Sequence, residues 1–223
     1  MKRLNRFIAI SLVLACCQSA FACLWIETHN YYLFHVYDSE EFRTRVDNIT
    51  RDNWRTYLEK GQDYYWFNAD EVRKFAEGKG DALMVSYVSN LEKYLECASS
   101  VMSESWDYPT KEELDKRKQT LIAVRQYAQG KLTSRLRSQH ALLFMRCNML
   151  LGRHQENTQF WNQTASQYIE TVYKDMMLNI YAGALLRTGH TDEACAIYAQ
   201  QGDWRSLMTQ YYKRRSYEAI RAE

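Results

Sequence analysis

Catalysis needs side chains of complementary type that a fold can bring together, so the first question is where such types fall. The five histidines are His29, His35, His140, His154 and His190, and no two of them share a zinc-protease spacing. His140 falls on the inward face of an apolar helix, where a hydrogen-bonded core histidine is the expectation. His154 and His190 take neighbouring positions in two turns, where capping and solvent contact account for them. Glu40-Glu41 and Glu112-Glu113 are adjacent pairs, so on a helix their carboxylates point to different sides and cannot share a proton. Gly78-Lys79-Gly80 lacks the spaced glycine and the following Ser or Thr of a phosphate loop. No nucleophile elbow is present. Asn48-Ile49-Thr50 and Asn162-Gln163-Thr164 match the glycosylation pattern, which chance explains. The expectation is a protein that is not an enzyme, with no catalytic, cofactor-binding or metal-ligating residue and no cofactor.

Cysteine carries the one covalent chemistry the sequence suggests. Lys2, Arg3 and Arg6 form a basic start, Phe7 to Cys17 is apolar, and Ala20-Phe21-Ala22 has the small-x-small pattern of a signal-peptidase site. Residues 1–22 therefore read as a signal peptide and the address as exported: periplasm or outer-membrane-associated in a bacterial envelope. Cys23 directly follows Ala22 and would become the lipid-bearing first residue of a lipoprotein; Val13-Leu14-Ala15-Cys16 is a competing site, and plain secretion is the alternative. Cys97, Cys147 and Cys195 remain, at spacings that fit no zinc pattern. Cys147 and Cys195 lie on apolar helix faces, as buried free thiols do. Loss of the three cationic residues of the signal peptide, with no acidic ones, takes the formal charge from +2 to −1. The charge therefore gives no reason to expect nucleic acid, and contact with a membrane would come only through the lipid.

These residues have to be placed by helices. The 223 residues include only eight Gly and one Pro, as expected of a chain that is helical almost throughout. Residues 23–80 form an aromatic-rich N-terminal region with Tyr31, Tyr32, Phe34, Tyr37 and Tyr64–Phe67. Asp38 to Tyr57 reads as one or two short helices capped at Asn48 or Asp52, and Asn68-Ala69-Asp70-Glu71 starts another that Gly78–Gly80 ends. Residues 81–130 read as a helical hairpin. Its first helix carries Met84, Tyr87, Val88, Leu91, Tyr94, Leu95, Ala98, Val101 and Met102 at three- and four-residue steps. Its second opens at Thr110 with Glu113 as a capping box and turns Leu114, Leu121, Val124 and Ala128 inward. Lys111, Glu112, Lys116, Arg117 and Lys118 read as its solvated face.

Residues 131–223 repeat. A shift of 37 positions, from 152 to 189, brings Gly152 onto Gly189, Leu143 onto Ile180, Phe144 onto Tyr181, Cys147 onto Ala184 and Trp161 onto Tyr198. In the first copy a helix from near Leu132 turns Leu136, His140, Leu143, Phe144, Cys147 and Leu151 inward, and Phe160, Trp161, Thr164, Tyr168 and Val172 return. In the second, Met177, Ile180, Tyr181 and Ala184 are inward. A repeat of this length marks hairpins that bury their apolar faces by stacking.

Gly189-His190-Thr191-Asp192-Glu193-Ala194-Cys195-Ala196-Ile197-Tyr198 resembles the turn and second helix of a tetratricopeptide repeat, and Trp204, Leu207, Tyr211, Tyr217 and Ala219 resemble part of a further one. The match departs at Arg215, where glycine is expected, and at Met145 and Asn157, where the family prefers small residues. From Ala22-Cys23-Leu24-Trp25 through Asn48–Trp54 the chain also resembles the N-terminal part of exported helical-repeat proteins of Bacteroidetes, a likeness that carries no activity. The resemblance implies an all-α, tetratricopeptide-like solenoid of antiparallel hairpins whose concave surface binds a protein or peptide. The aromatic N-terminal region suggests a glycan-binding lipoprotein as the alternative, with Trp54 and Trp66 as platform, and an enzyme whose site forms only in three dimensions comes third. Trp204, Leu207, Met208, Tyr211 and Tyr212 share a broad apolar face with no complete capping helix after it. The expectation there is a shortened relative of a longer array, or self-association or partner binding through that C-terminal helix.

Overall fold

The computed structural model describes residues 40–64, 68–99, 109–168 and 171–210. The signal peptide, Cys16, Cys23, Trp66, Val101, Met102, Tyr211, Tyr212, Tyr217 and Arg215 lie outside the described residues. Within them all regular structure is helical, with no strand. The helices are α1 (Glu40–Leu58), α2 (Ala69–Gly78), α3 (Ala82–Ser99), α4 (Lys111–Gln129), α5 (Arg137–Leu150), α6 (His154–Thr164), α7 (Thr171–Arg187) and α8 (Thr191–Gln201). A 3₁₀ turn, Ala165–Gln167, follows α6, and residues 204–210 are helical again. None of the described helices is long and apolar enough to cross a membrane.

Side chains near the chain reversals set several boundaries. Asn68 accepts the Glu71 N–H at 2.8 Å to start α2, and Asp81 accepts the Met84 N–H at 3.0 Å to start α3. At α4 both halves of the Thr110–Glu113 capping box form. The two repeat turns are built alike. Gly152 (φ 71°) and Gly189 (φ 87°) take the left-handed conformation, and the next residue donates back to the helix, Arg153 N–H to Asn148 O at 2.8 Å and His190 N–H to Leu185 O at 2.9 Å. Neither turn uses its histidine as a cap: His190 sits at the cap position of α8 without a side-chain bond, and His154 is the first residue of α6, after Arg153.

Two expectations about boundaries are corrected. α1 is one continuous helix, and Asn48 and Asp52 lie inside it, bonded to Arg51 and Arg55 one turn on. α5 starts at Arg137, later than near Leu132, because residues 131–136 form turns with Ser134 N–H on Lys131 O at 3.0 Å and Arg137 N–H on Ser134 O at 3.1 Å.

From α2 to α8 each helix packs on the next, and α3, α5 and α7 also pack on one another in series. α5 is therefore enclosed on several sides. Ala141 to Met145 are five consecutive buried residues, and Ser138, His140, Cys147 and Asn148 are buried with them. Around it the core takes in Val72 and Ala76 of α2, Met84, Tyr87 and Val88 of α3, Leu121, Val124 and Ala128 of α4, Trp161 of α6, Met177 and Tyr181 of α7, and Ala194 and Tyr198 of α8. Leu114 departs from its expected inward place and is 46 % exposed, and Leu95 on α3 is 50 % exposed. α1 behaves differently: it packs on α7, more than 100 positions along the chain, and Leu58 is its one buried residue among those described.

Candidate functional site

A cavity of about 600 Å³ opens where α1 meets the α3, α5 and α7 series. α1 supplies one wall with Ile49, Asn53 and Thr56, spaced so that they share a helix face, flanked by Trp54 and Tyr57. α3 supplies Met84 and Tyr87 one turn apart, the approach to α5 supplies Arg135 and Leu136, α5 supplies Gln139, and α7 supplies Tyr173.

Asp81 fixes the geometry. Its carboxylate accepts the Met84 N–H, accepts the Tyr57 hydroxyl at 2.9 Å and pairs with the Arg135 guanidinium. One half-buried carboxylate thus ties α1, the start of α3 and the turn before α5. Burial opposes ionisation of Asp81, but the bonds from Arg135, Met84 and Tyr57 outweigh it and hold the carboxyl below its ordinary range. Tyr57 is pushed up to about 12, first by burial and then by its bond to Asp81. The Tyr57 ring meets Trp54 edge-on at 6.4 Å and Phe75 at 5.6 Å, so it is a wall and not a proton donor in waiting.

Behind Leu136 lies a partly buried chain of hydrogen bonds. His140 Nδ1–H donates to Leu136 O at 2.8 Å, so Nε2 accepts from the Tyr127 hydroxyl at 3.3 Å, and Tyr127 in turn meets Ser86 Oγ at 2.7 Å. The Tyr87 ring packs on His140 at 5.3 Å. Burial lowers the His140 pKa and raises that of Tyr87, which keeps both neutral. This is a satisfied core histidine, as the helix face suggested.

A larger cleft of about 830 Å³ lies between the end of α1, α2 and α3. Most of its polar groups are already committed: Lys60 to Glu71 at 3.5 Å, Asn68 to its cap bond, and Asp70 and Glu92 to Arg73, with Lys74 the exception among the described residues. It offers little to a ligand.

Among the described residues no three His, Cys, Asp or Glu side chains are grouped to hold a metal ion. Cys97 and Cys147 are buried, Cys147 pushed up to about 12 by burial, and Cys195 is half-buried. Glu113 serves the α4 cap. Trp54 is brought to the cavity, half-buried. Sequence reasoning missed Asn53, Arg135 and Gln139; only the long-range contact of α1 brings them together, and no local pattern announces it. Sequence reasoning also passed over Asp81, although a carboxylate just after Gly80 and before an apolar helix is a local capping signal. No protein-family model matches the chain, and neither does any curated protein or solved structure.

Proposed function

We propose that this chain is a non-enzymatic, tetratricopeptide-like scaffold that binds a protein or peptide in the bacterial envelope, exported by its signal peptide and either freely secreted or tethered through Cys23. The observation that carries the reading is the serial packing of α3, α5 and α7, with α1 laid against α7. Hairpins that stack through their first helices present those helices as a shared surface, and here that surface already receives a helix from elsewhere in the chain. The 37-residue offset of the two glycine turns supports the solenoid, because both turns close with the same pair of backbone bonds. Affinity capture from an envelope fraction tests the scaffold: a partner recovered repeatedly above background is expected, and none would overturn it. The intact mass of the exported chain decides the tether, through a diacylglyceryl mass on Cys23 or Cys16 or a plain cut after Ala22.

A second reading, glycan binding, keeps one supporting observation, since Trp54 stands half-buried at the cavity. Binding on a glycan array that Trp54→Ala abolishes would favour it over the peptide reading. Self-association through the C-terminal helix also stands as a proposal, supported by Trp204 at 46 % exposure, and light scattering showing a monomer that binds no hydrophobic dye would overturn it.

A further inference from the structure

Several polar groups around the α1 cavity are held within the fold. Thr56 donates to Asp52 O at 2.8 Å, while Tyr57 and Arg135 are both committed to Asp81. Asn53 on α1 and Gln139 on α5 stand apart: both line the cavity, and neither side-chain amide has a hydrogen-bond partner among the described residues. A primary amide offers both a donor and an acceptor, the complement of a peptide group's acceptor and donor. The same cavity is lined by the apolar surfaces of Trp54, Met84, Tyr87 and Leu136. Among the described residues Arg135 is the only charged side chain in the lining, and it is paired with Asp81, which favours a neutral occupant. Its volume of about 600 Å³ falls within the range typical of ligand pockets, roughly 300–1,000 Å³.

We propose that this cavity seats a neutral, extended peptide segment, with one apolar or aromatic side chain against Trp54, Met84 and Tyr87 and the flanking peptide groups held by the amides of Asn53 and Gln139. The proposal rests on the scaffold reading and names its partner's local chemistry. Extended backbone is required, because a helix satisfies its own N–H and C=O groups and would leave nothing for two amides to bind. α1 is the clamp. It provides one whole wall, yet Leu58 is its one buried residue among those described, so its docking is among the least stable parts of the fold. A segment that bridges Asn53 and Gln139 binds only the docked state and therefore draws α1 onto the array.

The test is a titration of the full mature chain with acetyl-Gly-Phe-Gly-amide, followed by NMR at the Asn53 and Gln139 side-chain amides and by hydrogen exchange across α1. Saturable shifts at both amides and slowed exchange in α1 are expected. Asn53→Ala and Gln139→Ala are each expected to weaken binding about fivefold, as loss of one net hydrogen bond implies, without moving the thermal midpoint. The same tripeptide with both glycine nitrogens methylated is expected to bind far more weakly. Equal binding by either variant or by the methylated peptide would overturn the proposal, as would no saturable binding at all. Maltose shifting the same resonances where the tripeptide does not would also overturn it and give the cavity to a sugar. A displayed peptide library run against wild type and the Asn53→Ala/Gln139→Ala double variant separates the two levels. Binders retained by the double variant remove this site and leave the scaffold standing; no binders to either remove both.

Discussion

Asn157 offers the most direct test of how the first repeat is held together. It is fully buried in α6, its amide donating to Met145 O at 2.9 Å and accepting from Asn148 Nδ2 at 2.9 Å. Asn148, equally buried on α5, accepts from Arg125 on α4, and Arg125 pairs with Glu156 and lies over the Phe144 ring at 4.7 Å. Replacing Asn157 by Ala leaves Asn148 Nδ2 without a partner in a site that water does not reach, at about 1–3 kcal/mol, and removes well-packed volume besides. The expected loss is about 2–3 kcal/mol in urea unfolding, or roughly 4–12 °C in thermal midpoint for a domain of this size. The second copy supplies the control. Advancing 37 positions, Asn148 becomes Leu185 and Asn157 becomes Ala194, both buried. The double variant Asn148→Leu/Asn157→Ala installs that apolar pair and leaves no orphaned amide between the helices. Its loss is expected to be smaller than the sum of the two single losses, with a coupling of about 1–2 kcal/mol. Additive losses, or an Asn157→Ala cost below about 0.5 kcal/mol, would refute the account.

Three further outcomes follow from the same bonds. Asp81→Asn keeps a cap for α3 but loses the charge that holds Arg135 and Tyr57, so hydrogen exchange should quicken in α1 by about tenfold while α5 is unchanged. Burial holds the folded-state pKa of His140 below the ordinary 6.5, so its contribution to stability is whole above that pH and is lost as the pH falls towards the folded-state value. Urea midpoints between pH 7.5 and 5 should therefore decline, and His140→Gln should flatten that decline, leaving the part due to His154, whose pKa burial also lowers. Thr110→Ala should cost about 1 kcal/mol through loss of the α4 cap, read by thermal unfolding, and Thr110→Ser should restore most of it.

What the sequence made legible was local. The capping box at Thr110, the cap at Asn68 and the glycine turns at 152 and 189 are set by residues within a few positions of one another, and each formed as read. Periodicity located the buried face of α4 at Leu121, Val124 and Ala128 but included Leu114, because a repeat spacing defines a face and not how far along it a neighbour extends. It understated α5 for the opposite reason: a helix packed by α3, α4, α6 and α7 has no face to contrast with another, and its stripe dissolves into a run of buried residues. The cavity was illegible altogether. It brings Ile49 and Asn53 to Tyr173 through the packing of α1 on α7, and no local signal encodes a contact across that length of chain.

The polar core of the first repeat has a further consequence for how the two copies stay distinct. Hairpins that resemble each other in one chain can pair with the wrong neighbour, since α6 and α8 each present an aromatic, Trp161 or Tyr198, at equivalent positions. Asn157 discriminates between them. Against α5 it finds Asn148 and the Met145 carbonyl; against α7 it would meet Leu185 in place of Asn148 and bury an unmatched amide. Ala194 on α8 carries no such requirement at this crossing; the second copy is tied instead at the far end of α8, where Gln201 donates to Asp175 O at 2.8 Å and accepts from Asn179 Nδ2 at 3.3 Å. The departure from small residues at this crossing therefore reads as a device that fixes pairing, for which buried polar pairs in helical assemblies are well suited. The Asn148→Leu/Asn157→Ala variant separates the two roles: if the amides fix pairing, it stays folded but gives broadened or doubled NMR resonances in α6 and α8, whereas a single sharp set would leave the amides with a stabilising role alone.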